Sequence, residues 1–320
     1  MTGAGPDGPG AGRPEFDFSR PCTAYLAAEG FVAEVVEELG LPPERVRVCD
    51  RLVLAEGEER PVAFARNVWR NPVLLPIASI ADGARRLAAV QRNWALYSFR
   101  LHRRARLIAQ RLPKVSARPL IFGRPAPQAR LGSWTLWDEH AILAAAECSS
   151  PFPNGEARFV EDSTGPPNRA YLKLWELFTL LGVAPAAGEL CVELGSSPGG
   201  WTWVLAGLGA RVFSVDKAPL DPRVGRLPGV DHCLGSGFGL SPRAVGGADW
   251  LFCDMACYPQ RLFELVERWL AAGACRRMVC TLKFQGPTDL AIVRRFRALP
   301  GARLLHLFHN KHELTFALVD

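Results

Sequence analysis

The chain has 320 residues, 48% of them apolar and 22% charged, with a formal net charge of +6. That suffices for two domains with buried cores and argues against a disordered chain, while no apolar run reaches the roughly 18 residues that a membrane helix needs. The first twenty residues lack the basic start and apolar core of a secretory signal, and nine cysteines with no C-x-x-C pair read as reduced core thiols rather than zinc ligands or disulfides, so a cytoplasmic protein is expected.

Residues 1–20 are rich in Gly and Pro and read as a flexible tail. Residues 23–26 suggest a strand, and apolar residues at 31, 32, 35, 36 and 39 mark one face of a helix. The segments 45–54 and 62–68 are further strand candidates. Residues 84–91 read as a helix; 94–101 fit a strand or the continuation of a longer helix. Between Arg85 and Arg118 lie ten Arg or Lys and no acid, with Trp94, Tyr97 and Phe99 interleaved, which suits an RNA backbone and its unstacked bases. The alternative is a solvated face reflecting general arginine usage, since the chain has 33 Arg and five Lys. Residues 113–135 form a Pro/Gly/Arg-rich connection, and 133–137 with 141–146 read as a hairpin or as a strand and a helix. The domain boundary is placed near Gly165, which gives an N-terminal α+β domain over 21–164 that presents RNA and a second domain over 165–320.

Beyond that boundary the rhythm changes. Helix 169–181 leads to strand 190–194, helix 199–207, strand 211–215, strand 249–253, helix 259–272, strand 277–282, helix 287–299, strand 303–308 and a last strand over 313–319. Buried strands alternating with helices predict an α/β fold with a mostly parallel, Rossmann-like sheet covered on both faces.

The turn after the strand 190–194 contains Gly195, Ser196, Ser197, Pro198, Gly199 and Gly200. Glu193 lies at the end of that strand and Asp216 ends the next. Glycines let the backbone turn tightly and approach a ligand, and an acid about twenty residues further on can hold ribose hydroxyls. The spacing is not G-x-G-x-x-G, because Pro198 intervenes, so S-adenosyl-L-methionine, a nucleoside ligand without pyrophosphate, fits better than a dinucleotide. Gly199 and Gly200 could instead serve helix packing, Asp216 could cap a helix, and Trp201 is as consistent with core as with a ligand wall.

Four charged residues occupy places that a core avoids: Lys173 within an apolar helix pattern, Asp254 after the strand 249–253, Lys283 after 277–282, and Glu313 opening the last strand. Each alone is an ordinary charge. Together with the glycine turn they suit methyl transfer to a ribose hydroxyl, a weak acid whose proton must be removed while its oxygen attacks in line. Lysine can act as that base where burial and a second cation lower its pKa, which arginine resists. No metal is called for.

On Leu172-Lys173-Leu174, Leu194-Gly195, Pro198-Gly199-Gly200-Trp201-Thr202, Ser214-Val215-Asp216, Cys253-Asp254-Met255, Leu282-Lys283 and His309 with Glu313, the chain resembles the FtsJ-type ribose 2'-O-methyltransferases, and within them the large-subunit ribosomal RNA methyltransferase M family. A weaker likeness runs through Phe64-Ala65-Arg66 and Ser150-Pro151-Phe152. The resemblance implies a Lys-Asp-Lys-Glu tetrad at Lys173, Asp254, Lys283 and Glu313, with Lys283 as base or polariser, Lys173 and Glu313 as positioning groups and Asp254 beside the sulfonium. It also implies that Glu193 meets the cofactor's amino-acid end, that the 195–202 turn wraps it and that Asp216 holds its ribose. The implied partner is ribosomal RNA; no membrane and no obligate protein partner are expected. Two features depart from the family: Ser236 stands where members often carry an acid near the adenine, and the N-terminal part is short for a full pair of RNA-binding modules. The rivals are an idle RNA-binding protein with a methyltransferase fold, against which the complete tetrad argues, and a nucleotide-dependent dehydrogenase, which the broken glycine spacing disfavours.

Overall fold

The computed structural model describes residues 16–115 and 118–319. Its N-terminal part contains β1 (Cys22–Ala27), α1 (Val32–Leu39), β2 (Val46–Cys49), β3 (Leu52–Glu56), β4 (Ala65–Arg70), β5 (Val73–Pro76), α2 (Ile80–Val90), β6 (Trp94–Leu96), α3 (His102–Ala109), β7 (Gly132–Leu136), β8 (Ala141–Ala145) and β9 (Glu147–Cys148). They form two sheets, β2-β3-β1-β4-β9 and β5-β8-β7-β6. The strand period of two explains how β1 serves two layers at once. Tyr25 and Ala27 face α1 through Val35 and Leu39, whereas Ala24 and Leu26 face the second sheet through Leu143 and Ala145. The far side of the second sheet is covered by α2 and α3, with Leu87, Ala105 and Ile108 packed on Trp134 and Ile142.

The C-terminal part contains α4 (Tyr171–Leu181), β10 (Leu190–Leu194), α5 (Gly200–Gly207), β11 (Arg211–Asp216), α6 (Pro222–Gly225), β12 (Val230–Leu234), α7 (Pro242–Val245), β13 (Ala248–Cys253), α8 (Pro259–Ala271), β14 (Cys275–Lys283), α9 (Leu290–Arg297), β15 (Ala302–Leu305) and β16 (Glu313–Leu318). Its seven-stranded sheet has the order β12-β11-β10-β13-β14-β16-β15, with β16 antiparallel to both neighbours and the pairings among the others parallel. This is the expected α/β, Rossmann-like sheet beside a smaller α+β part. Both faces are buried, as a parallel sheet requires. In β13, Trp250 and Phe252 point to the layer of α4 and α5, and Leu251 and Cys253 to that of α8 and α9. Strand order reverses between β10 and β13, so the crevice outside their carboxyl ends is the switch point where ligands bind in such sheets.

The two parts share a core cluster. Phe31 and Phe64 stack with centroids 5.0 Å apart, His306 lies against both, and its backbone N–H donates to Ala63 O at 2.9 Å. Glu38, almost wholly buried, joins Arg297 to the backbone N–H groups of Ala63 and Phe64.

Several sequence expectations are refined. The run 45–54 is two strands, because Asp50 adopts a positive φ of 55° and turns the chain. The ambiguous 94–101 is a short strand followed, after Leu101 at φ 48°, by a separate helix. The 133–146 region is a hairpin. Strand β12 is a polar edge strand with no apolar run to mark it in the sequence. The strand expected over 303–308 stops at Leu305, where the chain leaves the sheet for a loop that brings the next residues to the site. Of the expected tail 1–20, residues 1–15 lie outside the described residues. Phe16 and Phe18 pack edge to face, and Phe18 packs likewise on Trp137. The nine cysteines are free thiols. No helix among the described residues is long and apolar enough to cross a membrane.

Candidate active site

The glycine turn follows β10 directly. Gly195 has φ 80°, and a Cβ there would lie 2.6 Å from Met255 Cγ and 2.8 Å from Met255 Cα, so the close passage of two loops over the sheet edge demands a residue without a side chain. Gly199, at φ 112°, precedes α5, and a Cβ on Gly200 would collide with Asn168 Oδ1 at 2.1 Å. A Cβ on Gly199 would likewise lie 2.9 Å from Val224 Cγ1, so the packing explanation holds for both glycines. Gly195→Ala is expected to lower cofactor affinity and to destabilise the fold by about 1–3 kcal/mol, measured by calorimetric titration and thermal melting. A variant with native affinity and melting temperature would show that the turn tolerates a side chain.

Asp216, at the end of β11, accepts from Ser197 N at 3.0 Å and from Ala218 N at 2.9 Å. It thus shapes the turn, and each carboxylate oxygen keeps a second lone pair for a ribose hydroxyl. Ser197 Oγ donates to Pro219 O, whereas Ser196 Oγ is buried with no hydrogen-bond partner among the described residues. An orphaned buried hydroxyl beside a glycine turn is a group awaiting a partner. These features fit an adenosyl ligand.

Glu193 is completely enclosed, and Thr202 Oγ1 donates to its Oε2 at 2.6 Å. Burial, reinforced by the charges of Asp254 and Asp216, pushes its carboxyl up to about 8. Trp201 is core: it is 2% exposed and its indole N–H donates to Ala170 O. Gly237, after Ser236, lies against Leu194 and Met255, and Arg261 stacks 3.9 Å over the ring of Phe238.

The four charged residues converge. Lys173 comes from α4, Asp254 from the loop after β13, Lys283 from the end of β14 and Glu313 from the start of β16, where Lys283 and Glu313 stand directly opposite in the antiparallel register. Lys173 Nζ is 2.7 Å from Glu313 Oε1 and 3.5 Å from Asp254 Oδ1; Lys283 Nζ is 2.9 Å from Asp254 Oδ1 and also donates to Asp254 O. Burial pushes Lys173 down, but the attraction of Asp254 and Glu313 and their hydrogen bonds outweighs it, and its ammonium ends above the ordinary lysine range. A lowered lysine pKa, the condition expected for a base, is therefore not met at Lys173: the two anions reverse the effect of burial.

Two further residues complete the cluster. Asn310 Nδ2 donates to Glu313 Oε1, while Asn310 Oδ1 accepts from Leu307 N at 2.7 Å and from Thr315 Oγ1. Glu176, one helical turn beyond Lys173, is buried and holds the 308–309 segment. The i, i+3 spacing of Lys173 and Glu176 was a legible signal that both lie on one face of α4; nothing local marked Asn310.

The cleft beside the cluster has a volume of about 910 Å3 and is walled by Lys173, Glu313, Asn168, Arg169, His309 and Lys311, among others. Pro119 and Arg158 also line an adjoining groove of about 760 Å3 that carries Lys114, Arg118 and Arg124. In the basic stretch, Arg85 and Arg86 are tied to Asp82, just before it, but Arg103, Arg106, Arg111, Lys114 and Arg118 are exposed.

A Rossmann-like sheet with a glycine turn and a charged cluster at its switch point defines a methyltransferase fold, and residues 166–262 match the family described as FtsJ-like methyltransferase. That segment includes the turn, Lys173 and Asp254. Among curated proteins, the chain is 38% identical over 164 residues to a ribosomal RNA large subunit methyltransferase M of Aromatoleum aromaticum, covering 46% of this chain and 44% of the relative. It is 35% identical over 225 residues to the protein of the same name from an Azoarcus species, covering 65% and 60%. The chain spans about half the length of the curated relatives it matches. A fibrillarin structure from Aeropyrum pernix overlaps 61% of this chain and 84% of its own at 18% identity with a TM-score of 0.34, too loose an overlap to carry a conclusion.

Proposed function

We propose that this chain is an S-adenosylmethionine-dependent RNA ribose 2'-O-methyltransferase whose substrate is large-subunit ribosomal RNA. The observation that carries this reading is the meeting of Lys173, Asp254, Lys283 and Glu313 at the switch point, next to the glycine turn. When bound, S-adenosyl-L-methionine supplies an electrophilic methyl group. Gly195, Ser196, Ser197, Pro198, Gly199 and Gly200 would wrap it, Asp216 would hold its ribose and Glu193 its amino-acid end.

The protein's own groups act on the RNA hydroxyl. Lys283, held by Asp254 beside Lys173, polarises the 2'-oxygen as an ammonium; in its neutral form, after giving a proton to solvent, it takes up the hydroxyl proton as the oxygen attacks the methyl group. Lys173 stays an ammonium because two carboxylates face it, so it stabilises developing negative charge without accepting a proton. Glu313, fixed by Lys173 and Asn310, orients the approaching ribose. The basic groove beside the cleft suits the phosphates of the incoming strand.

Incubation with methyl-labelled cofactor and unmodified large-subunit ribosomal RNA, followed by mapping of ribose methylation, is expected to show label at one 2'-position. Label in a base, or none in RNA, would overturn the reading.

A further inference from the structure

Glu176 is 2% exposed and accepts three hydrogen bonds from consecutive groups: Phe308 N at 2.7 Å, His309 N at 3.1 Å and His309 Nδ1 at 2.6 Å. The first two already anchor the loop that precedes Glu313. The third fixes the imidazole: a carboxylate can only accept, so Nδ1 carries the hydrogen and Nε2 is left for another partner. Nε2 has no partner among the described residues, and His309 lines the same cleft as Lys173 and Glu313. The ring is further held by Phe308 and Phe159, with centroids 5.2 and 6.0 Å away. A ring with one nitrogen clamped by a buried anion and its other nitrogen unpartnered, in a cleft also lined by Lys173 one helical turn from Glu176, is a preorganised hydrogen-bonding group.

We infer that His309, oriented by Glu176, is a substrate-contacting residue whose Nε2 accepts a hydrogen bond from a ribose hydroxyl of the RNA strand at the reacting site. This rests on the RNA methyltransferase reading. Glu176 is then a positioning residue, acting through the imidazole.

Two substitutions separate contact from clamp, because asparagine places its amide near Nδ1 and glutamine near Nε2. With wild-type protein, labelled cofactor and unmodified large-subunit ribosomal RNA, His309→Asn is expected to raise KM and the RNA dissociation constant about tenfold, with cofactor affinity and melting temperature unchanged. His309→Gln is expected to recover part of that loss. If His309 only clamps the loop, the order reverses: His309→Asn keeps native RNA affinity and His309→Gln loses melting temperature, which overturns the inference. Wild-type activity with an indifferent His309→Asn sinks this inference alone. A wild-type protein that methylates no RNA sinks the underlying reading and this inference with it.

Discussion

Lys283→Ala is expected to lower methyl transfer to RNA by about 10³-fold while leaving cofactor affinity within about threefold of the wild type. The side chain pairs with Asp254 at 2.9 Å, so its removal takes away the group assigned to the 2'-hydroxyl and leaves the glycine turn untouched. Lys283→Arg should rescue little: guanidinium restores a positive charge but does not give up its proton. The measurement is single-turnover methyl incorporation alongside calorimetric titration with cofactor. Unchanged incorporation by Lys283→Ala would remove Lys283 from the mechanism. Lys173→Met should fail differently, because it leaves Asp254 and Glu313 without the ammonium between them; a loss of stability of about 3–5 kcal/mol is expected, read as a fall in melting temperature.

Glu193 carries a pH dependence in the range between about 4.5 and 8. Its carboxyl is pushed up to about 8 by burial, against about 4.5 in an unfolded chain. With the folded value above the unfolded one, its contribution to stability is fully present below pH 4.5 and is lost progressively as pH rises to about 8, where the folded form must also ionise. The span corresponds to roughly 5 kcal/mol. Glu193→Gln should therefore melt like the wild type near pH 4.5 and higher than it above pH 8. If Glu193 holds the cationic amino-acid end of the cofactor, binding must ionise it. The wild type should then release a proton on binding and bind more tightly as pH rises, and Glu193→Gln should bind more weakly with less proton release. Titration in buffers of different ionisation enthalpy reads this directly. Equal proton release by the two proteins would exclude Glu193 from cofactor binding.

The elements that position the site were legible because their signals are local. Strand 190–194 was placed to the residue, since an apolar run ends in Glu193 and a glycine turn, and helix 259–272 differs from α8 by one residue. Polar edge strand β12 and the one-turn helices α6 and α7 gave no such pattern, and the N-terminal part was harder because hairpins there depend on single positive-φ residues such as Asp50. Lys173, Asp254, Lys283 and Glu313 stood out as charges interrupting apolar patterns. Glu176 and Asn310 did not, because their importance lies in what they touch across the fold.

By itself the sequence determined the alternation of strand and helix, the glycine turn and which charges sit at strand ends, all properties of residues a few positions apart. Only the tertiary structure decided that Lys173 remains a cation held by two carboxylates, that Glu193 is buried enough to resist ionisation, and that His309 is fixed by a carboxylate 133 residues earlier in the chain. The reason is that pKa and orientation depend on distance and dielectric surroundings, and groups far apart along the chain acquire both only when the sheet brings them together.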